Sequence, residues 1–375
     1  MKIPMSSPDL TAAEIAAVNE VLHSNYLSIG PKIVQFEEAI AAYCGVHHAI
    51  GVNSGTSGLH LAVIAADIGE GDEVITPSFS FIASANAVVY ERARPVFVDI
   101  NPQTGNLDPQ LIEAAITPRT RAIMPVHAFG QPADMDPIME IARRHKLYII
   151  EDACEAIGAE YKGQRAGTFG DAAVFAFYPN KQMTTGEGGM IITNNEEFAQ
   201  IFRSLRNQGR DVFDAWLNHT RLGYNYRLNE MSAALGLVQT QRLDELLAKR
   251  AQVAQWYNER IAAIDGLEPP YIDPNTTRMS WFVYVVRCQA GVSRNQLMQH
   301  LHNHDIPSRP YFTPIHLQPF YREKYGWKLG DLPHTEAAGE SFLALPFSSV
   351  MTEEQVEIVC DQLRESVKLV HNAAV

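Results

Sequence analysis

The stretch DAAVFAFYPNKQMTTGEGGMII, residues 171–192, decides how the chain is read. Its two ends are short apolar runs of the kind that form buried strands, and between them lies a polar, glycine-rich turn. The turn carries a single lysine, Lys181. Upstream, residues 147–150 (LYII) form another buried-looking strand that runs into Glu151 and Asp152, where a helical pattern is expected to begin. Taken alone, a turn lysine is a solvated surface group and an aspartate in that position is a helix cap. Their significance depends on what the rest of the chain brings to the same place.

The chain of 375 residues is long enough for a large core and for two domains. Its 46 % apolar and 19 % charged residues describe an ordinary globular protein without low-complexity tracts. A net charge of −13 with no basic stripe argues against nucleic acid or an anionic membrane as partner. A phosphate-bearing ligand therefore requires a local positive or dipolar site. The four cysteines are widely spaced and form neither a CxxC pair nor a metal-ligand cluster, so no metal is expected and a reducing compartment fits best. The start, MKIPMSSPDL, lacks an apolar signal region, and no stretch approaches the ~20 apolar residues of a membrane span. A cytoplasmic protein is expected.

In chain order, Thr11-Ala-Ala-Glu14 is a capping box opening a first helix. A Gly-Pro loop and a second helix follow. Residues 48–52 read as a strand, and Asn53-Ser-Gly-Thr-Ser-Gly58 leads straight into a helix carrying Leu59, Ala62, Val63 and Ala66. Free N–H groups at such a helix start, among small residues, make an anion site, although the same residues also serve as ordinary caps. Strands then alternate with helices: 73–76, 95–98, 122–126 and 147–150 against 83–90, 108–116 and 134–145. That alternation predicts an α/β fold with a mostly parallel central sheet and helices on both faces. Ligands of such sheets gather beyond the carboxyl ends of the strands, where SGTSG, PSFSF, VHAFGQ and EDACE all fall.

Residues 206–230 lack clear periodicity and form a long loop of the kind that carries function. A helix is expected from Glu230 past Leu246, another over 251–264, and extended chain over 281–288 and 306–311. Capping boxes at Ser293 and Thr352 start two further helices. The expected division is a large α/β domain, 1–248, and a smaller α+β domain, 249–375.

A lysine on a tight turn, with a carboxylate at the end of a preceding buried strand, suits pyridoxal phosphate (PLP). The amine forms a Schiff base with the cofactor, and the carboxylate holds its protonated ring nitrogen. In this setting the chain resembles the DegT/DnrJ/EryC1/StrS family of nucleotide-sugar aminotransferases, PLP enzymes of fold type I. The motifs that carry the likeness are NSGTSGLHLA (53–62), DEVITPSFSFIASANAV (72–88), PVHAFGQPADMD (125–136), IIEDACEAIGAEY (149–161), FYPNKQMTTGEGGM (177–190) and GYNYRLNEMSAA (223–234), in order along nearly the whole chain.

The resemblance implies roles for individual residues. Lys181 is the Schiff-base lysine and the proton carrier of the reaction, and Asp152 pairs with the ring nitrogen. Gly55 and Thr56 hold the phosphate, Phe81 stacks on the ring, and Glu155 stands near the ring hydroxyl. Asn225 reaches the phosphate of a neighbouring subunit's cofactor, which implies a homodimer with shared sites. Tyr311 and His316 line the sugar pocket. The implied reaction moves an amino group from L-glutamate, through pyridoxamine phosphate (PMP), to a keto group of a dTDP-, UDP- or GDP-linked deoxysugar. Two positions depart from the pattern: Ala176 replaces a frequent serine, and Glu155 replaces a frequent glutamine. A cyclitol or other keto acceptor, and a non-catalytic PLP-binding regulator, are the alternatives. Members that dehydrate sugars carry histidine in place of the lysine, which position 181 does not.

Overall fold

The protein, seen in a computed structural model, is described over residues 3–210 and 218–373. Its organising element is a seven-stranded sheet. From one edge the strands run His48–Val52, Gly189–Thr193, Ala172–Ala176, Tyr148–Asp152, Thr120–Ile123, Glu73–Pro77 and Arg94–Val98. Gly189–Thr193 is antiparallel to both of its neighbours, and every other pairing among the remaining strands is parallel. The central strands are apolar on both faces because helices cover both. Helix Gly55–Ala65 packs with Phe198, Phe202 and Leu205 on one side, and Phe36, Ile40 and Leu246 pack on the other.

A second, antiparallel sheet takes the order Leu267–Glu268, Tyr284–Cys288, Phe342–Leu345, Arg309–Pro310. Helices Arg294–Asn303 and Glu353–Ala373 bury Leu297, Leu301, Val356, Val359 and Leu363 in its core. The capping boxes at Thr11 and Thr352 form, and the Ser293 hydroxyl accepts from Gln296 N–H.

The chain between residues 230 and 264 differs from expectation. Helix Glu230–Gln241 ends at Arg242, whose guanidinium binds Asp9, Glu14 and Glu245. A second helix, Leu243–Ile261, then runs without interruption through the expected start at 251. Its Leu243, Leu246 and Leu247 belong to the core under the large sheet, and its Val253, Ala254, Tyr257 and Ile261 to the core of the small one. We propose residues 248 and 249 as the division between the two domains, a division that falls inside a rigid helix rather than in a linker. The N-terminal segment sides with the smaller domain: Ile3 packs in its core, and the Met5 carbonyl accepts from Phe347 N–H at 3.0 Å. Of the extended chain expected over 306–311, only Arg309–Pro310 is a strand. No helix begins at Asp152. Two tight turns follow instead, closed by Ala156 N–H to the Ala153 carbonyl and Ala159 N–H to the Ala156 carbonyl, and they lead into the short strand Glu160–Tyr161.

Strand period separates the two carboxylates at the end of Tyr148–Asp152. Glu151 is fully buried and accepts from Gly167, Phe169 and Gly170 N–H at 2.8, 2.8 and 2.7 Å. It also meets His127 Nε2 at 2.9 Å. His127 Nδ1 accepts from Ala133 N–H, so the ring proton lies on Nε2 and points at Glu151. Glu151 thus fixes the loop that feeds strand Ala172–Ala176 and the Lys181 turn. Glu151→Ala would leave three amides, one of them fully buried, without an acceptor. It should lower stability by about 3–5 kcal/mol, read as an earlier urea midpoint by circular dichroism. An unchanged midpoint would show that water replaces the carboxylate.

Candidate active site

The carboxyl edge of the large sheet opens into a cavity of about 480 Å³. Nearly every strand end contributes to it. Ser54, Gly55 and Thr56 follow the first strand; Ser80, Phe81 and Ala83 follow Glu73–Pro77; Val126 follows Thr120–Ile123. Asp152, Cys154 and Glu155 come from the end of the central strand, and Ala176, Lys181 and Gly188 from the segment 171–192. Phe282 and Tyr311 of the smaller domain close the far side.

Local chemistry explains each placement. Ser54 caps helix Gly55–Ala65, its hydroxyl accepting from Ser57 N–H. The amides of Gly55 and Thr56 lie in the first turn, where no intrahelical acceptor exists, and face the cavity with the positive end of the helix dipole. A Cβ on Gly55 would lie 2.7 Å from Ala176 Cβ and 2.9 Å from Cys154 Sγ, so only glycine lets the helix start sit this close to the sheet. Asp152 is 6 % exposed, with Ser84 donating to Oδ2 at 2.6 Å and Cys154 N–H to Oδ1 at 3.2 Å. Lys181 Nζ lies 3.6 Å from Glu155 Oε1 and 3.7 Å from the centroid of the Phe282 ring. Phe81, 62 % exposed, and Tyr178 present flat rings at the mouth. A half-buried amine, a buried carboxylate, a phosphate-sized dipolar cradle and a free aromatic face on one cavity match the needs of a flat, phosphorylated, carbonyl-bearing cofactor.

Residues 8–364 match the DegT/DnrJ/EryC1/StrS aminotransferase family. The chain belongs to that family. The GDP-perosamine synthase of Caulobacter vibrioides is 46 % identical over 362 residues, covering 96 % of each chain. Among solved structures, DesV of S. venezuelae, in complex with a ketimine intermediate, has a TM-score of 0.91 at 39 % identity, covering 98 % of this chain and 99 % of its own. Spr1654 of Streptococcus pneumoniae in its PMP form has a TM-score of 0.95 at 28 % identity, covering 100 % of both chains.

The structure of this aminotransferase brings Lys181, Asp152, Gly55, Thr56, Phe81, Glu155 and Tyr311 to one cavity wall. It does not bring His316 there. That ring is fully buried, with Nδ1 taking the Ser78 hydroxyl at 2.7 Å and Nε2 meeting Glu336 at 3.1 Å. It fastens the segment after Tyr311 to the end of strand Glu73–Pro77 and has no ring nitrogen left for a substrate. Asn225 lies outside its own chain's cavity, exposed, with its carbonyl accepting from Asn53. The long loop expected over 206–230 includes residues 211–217, which lie outside those described.

Two site residues escape a reading of the sequence. Phe282 sits in an apolar run where nothing separates a core ring from a cavity ring. Arg250 leaves a trace: it occupies the buried register set by Leu243, Leu246, Leu247, Ala254, Tyr257 and Ile261, where a charge has no ordinary place.

Burial pushes the Glu155 carboxyl above its usual range of 4.5, against the pull of Lys181 and the Phe129 N–H that it accepts at 2.9 Å. An acid raised on folding holds its proton in the folded state at pH values where the unfolded chain has released it. Its contribution to stability therefore falls as pH rises from 4.5 through the folded value. In cofactor-free protein, Glu155→Gln should melt about 1–3 °C above the wild type in mildly alkaline buffer. The difference should shrink as pH falls toward the ordinary carboxyl range. A variant that melts lower in alkaline buffer would contradict this account.

Proposed function

We propose that this aminotransferase uses PLP to take an amino group from L-glutamate and deliver it to the keto group of a nucleotide-linked sugar, working as a cytoplasmic homodimer in amino-sugar synthesis. The observation that carries the proposal is the convergence of Lys181, Asp152 and the Gly55–Thr56 helix start on one cavity. When bound, PLP supplies a carbonyl for linkage to an amine and an electron-withdrawing ring. Gly55 and Thr56 would hold its phosphate, Asp152 its ring nitrogen, and Phe81 one face.

The chain's own groups supply the rest. Lys181 Nζ, with Phe282 on one side and Glu155 on the other, takes and returns the proton that moves along the substrate. Ser84 and Cys154 N–H fix the orientation of Asp152, and burial keeps water from competing with its partner. With Ala176 at the strand end, that position adds no hydroxyl to the phosphate cradle. A second chamber of about 470 Å³ shares Tyr178, Asn180, Phe282 and Tyr311 with the first and adds Arg309, giving a bulky anionic acceptor room beside the reacting amine. Tyr311, on the wall between the two, would orient the sugar. Asn225, turned away from its own cavity, would serve the partner subunit's site. The likeness to a GDP-perosamine synthase makes GDP the first nucleotide to try.

The test is spectroscopic. PLP-loaded protein should show a visible band that L-glutamate bleaches with release of 2-oxoglutarate, and a GDP-linked keto sugar should restore it. Lys181→Ala should slow the glutamate step by about 10²–10⁴-fold. A band indifferent to glutamate rules out the donor. Bleaching that no nucleotide-linked keto sugar reverses, while a cyclitol ketone does, selects the cyclitol reading.

A further inference from the structure

Arg250 carries a charge where the helix Leu243–Ile261 crosses from one core to the other, and it is 1 % exposed. Among the described residues it pairs with no carboxylate. Four backbone carbonyls receive it instead: Nη2 donates to Lys181 O at 2.7 Å and Asn180 O at 3.2 Å, and Nη1 to Phe282 O at 3.0 Å and Trp281 O at 3.1 Å. Its Nε has no partner. Burial pulls its pKa down to about 10.

A cation left without a counter-ion in a core is costly, and an apolar side chain in this register would serve packing better. What the guanidinium adds is geometry. Its planar fork grips two peptides from two domains at once. One peptide carries Lys181; the other carries Phe282, whose ring lies 3.7 Å from Lys181 Nζ. The Phe282 N–H is held independently by the Phe129 carbonyl at 3.1 Å, and Phe129 N–H reaches Glu155, the other neighbour of Nζ.

We propose that Arg250 is a positioning residue that sets where the Lys181 amine stands between Phe282 and Glu155, by tying the lysine turn to the smaller domain through four carbonyl bonds. The proposal rests on Lys181 being the reactive amine of the aminotransferase. Arg250 touches no substrate, so its effect is indirect, through the placement of Nζ.

Arg250→Lys and Arg250→Met test it, with three measurements on the full chain. Circular dichroism and melting report folding. Reductive methylation of cofactor-free protein, resolved by peptide mass spectrometry, reports the reactivity of Lys181 against exposed Lys162. Single-turnover bleaching of PLP-loaded protein by L-glutamate reports the reaction. Folded variants should show a changed Lys181-to-Lys162 labelling ratio and a glutamate step slower by about 10–100-fold, with lysine milder than methionine. Folded variants with unchanged labelling and rate overturn the proposal, whatever their melting temperature. Failure of Arg250→Lys to fold assigns the residue to stability alone and overturns it too. If wild-type protein takes up no PLP, the functional reading fails separately, and the labelling ratio still decides on Arg250.

Discussion

The site depends on one strand ending in two carboxylates that face opposite ways. Because side chains alternate along a strand, Glu151 turns into the protein and Asp152 into the cavity. Glu151 spends its oxygens on the Gly167, Phe169 and Gly170 amides and on His127, which fixes the entry to the neighbouring strand Ala172–Ala176. That strand delivers the Lys181 turn. One carboxylate therefore builds the platform for the lysine while its neighbour lines the same cavity. A one-residue slip would exchange their roles and leave an unpaired charge in the core.

The cavity also lies where the two proposed domains meet. Phe129 has a left-handed backbone with φ 62°, and Gly130 follows with φ 93°. A Cβ on Gly130 would lie 2.7 Å from Trp281 N, so the large domain's loop can lie against residues 280–282 only with glycine there. The carbonyls of Phe129 and Gly130 accept from Phe282 and Ser280 N–H, and the loop's own Phe129 N–H reaches Glu155. Together with the helix Leu243–Ile261, these contacts place a wall from the smaller domain across cofactor-holding elements of the larger one.

What could be read from the sequence follows from whether a signal is local. Strand–helix alternation, the capping residues and the position of the strand ends all derive from spacing, so the large sheet and its ligand edge were legible. The joins were not. Arg242 breaks a helix through partners more than two hundred residues away, Asp9 and Glu14. Gly158, with φ 79°, and the pairing of Glu160 with Arg278 turn residues 153–159 away from the helix that followed naturally from Glu151 and Asp152. His316 has the same sequence surroundings whether it faces a cavity or Ser78 and Glu336, and only the fold separates the two. The same holds for Phe282, whose neighbours in sequence are all apolar or aromatic.

The charges around the cavity also explain why a strongly acidic chain can hold a phosphate. Asp152 and Glu155 line the same space, and close carboxylates resist joint ionisation. Burial raises Glu155 while Lys181 pulls against it, so the lysine's charge is shared with a group inclined to keep its proton. Asp152 is supplied with two donors and lines the same cavity. The helix start at Gly55 and Thr56 brings positive potential without a side chain that would need a counter-ion of its own. Arg250 lies behind the lysine and gives its hydrogen bonds to carbonyls rather than to either acid. Each acid therefore has its own surroundings: Glu155 the lysine, and Asp152 the Ser84 hydroxyl and the Cys154 N–H. A glutamine at position 155 would leave the lysine without an acidic neighbour on that side. In this chain the acid at 155 and the carbonyl-bound arginine belong to one arrangement, in which the lysine turn is held by backbone contacts and the amine stands beside a single buried carboxyl group.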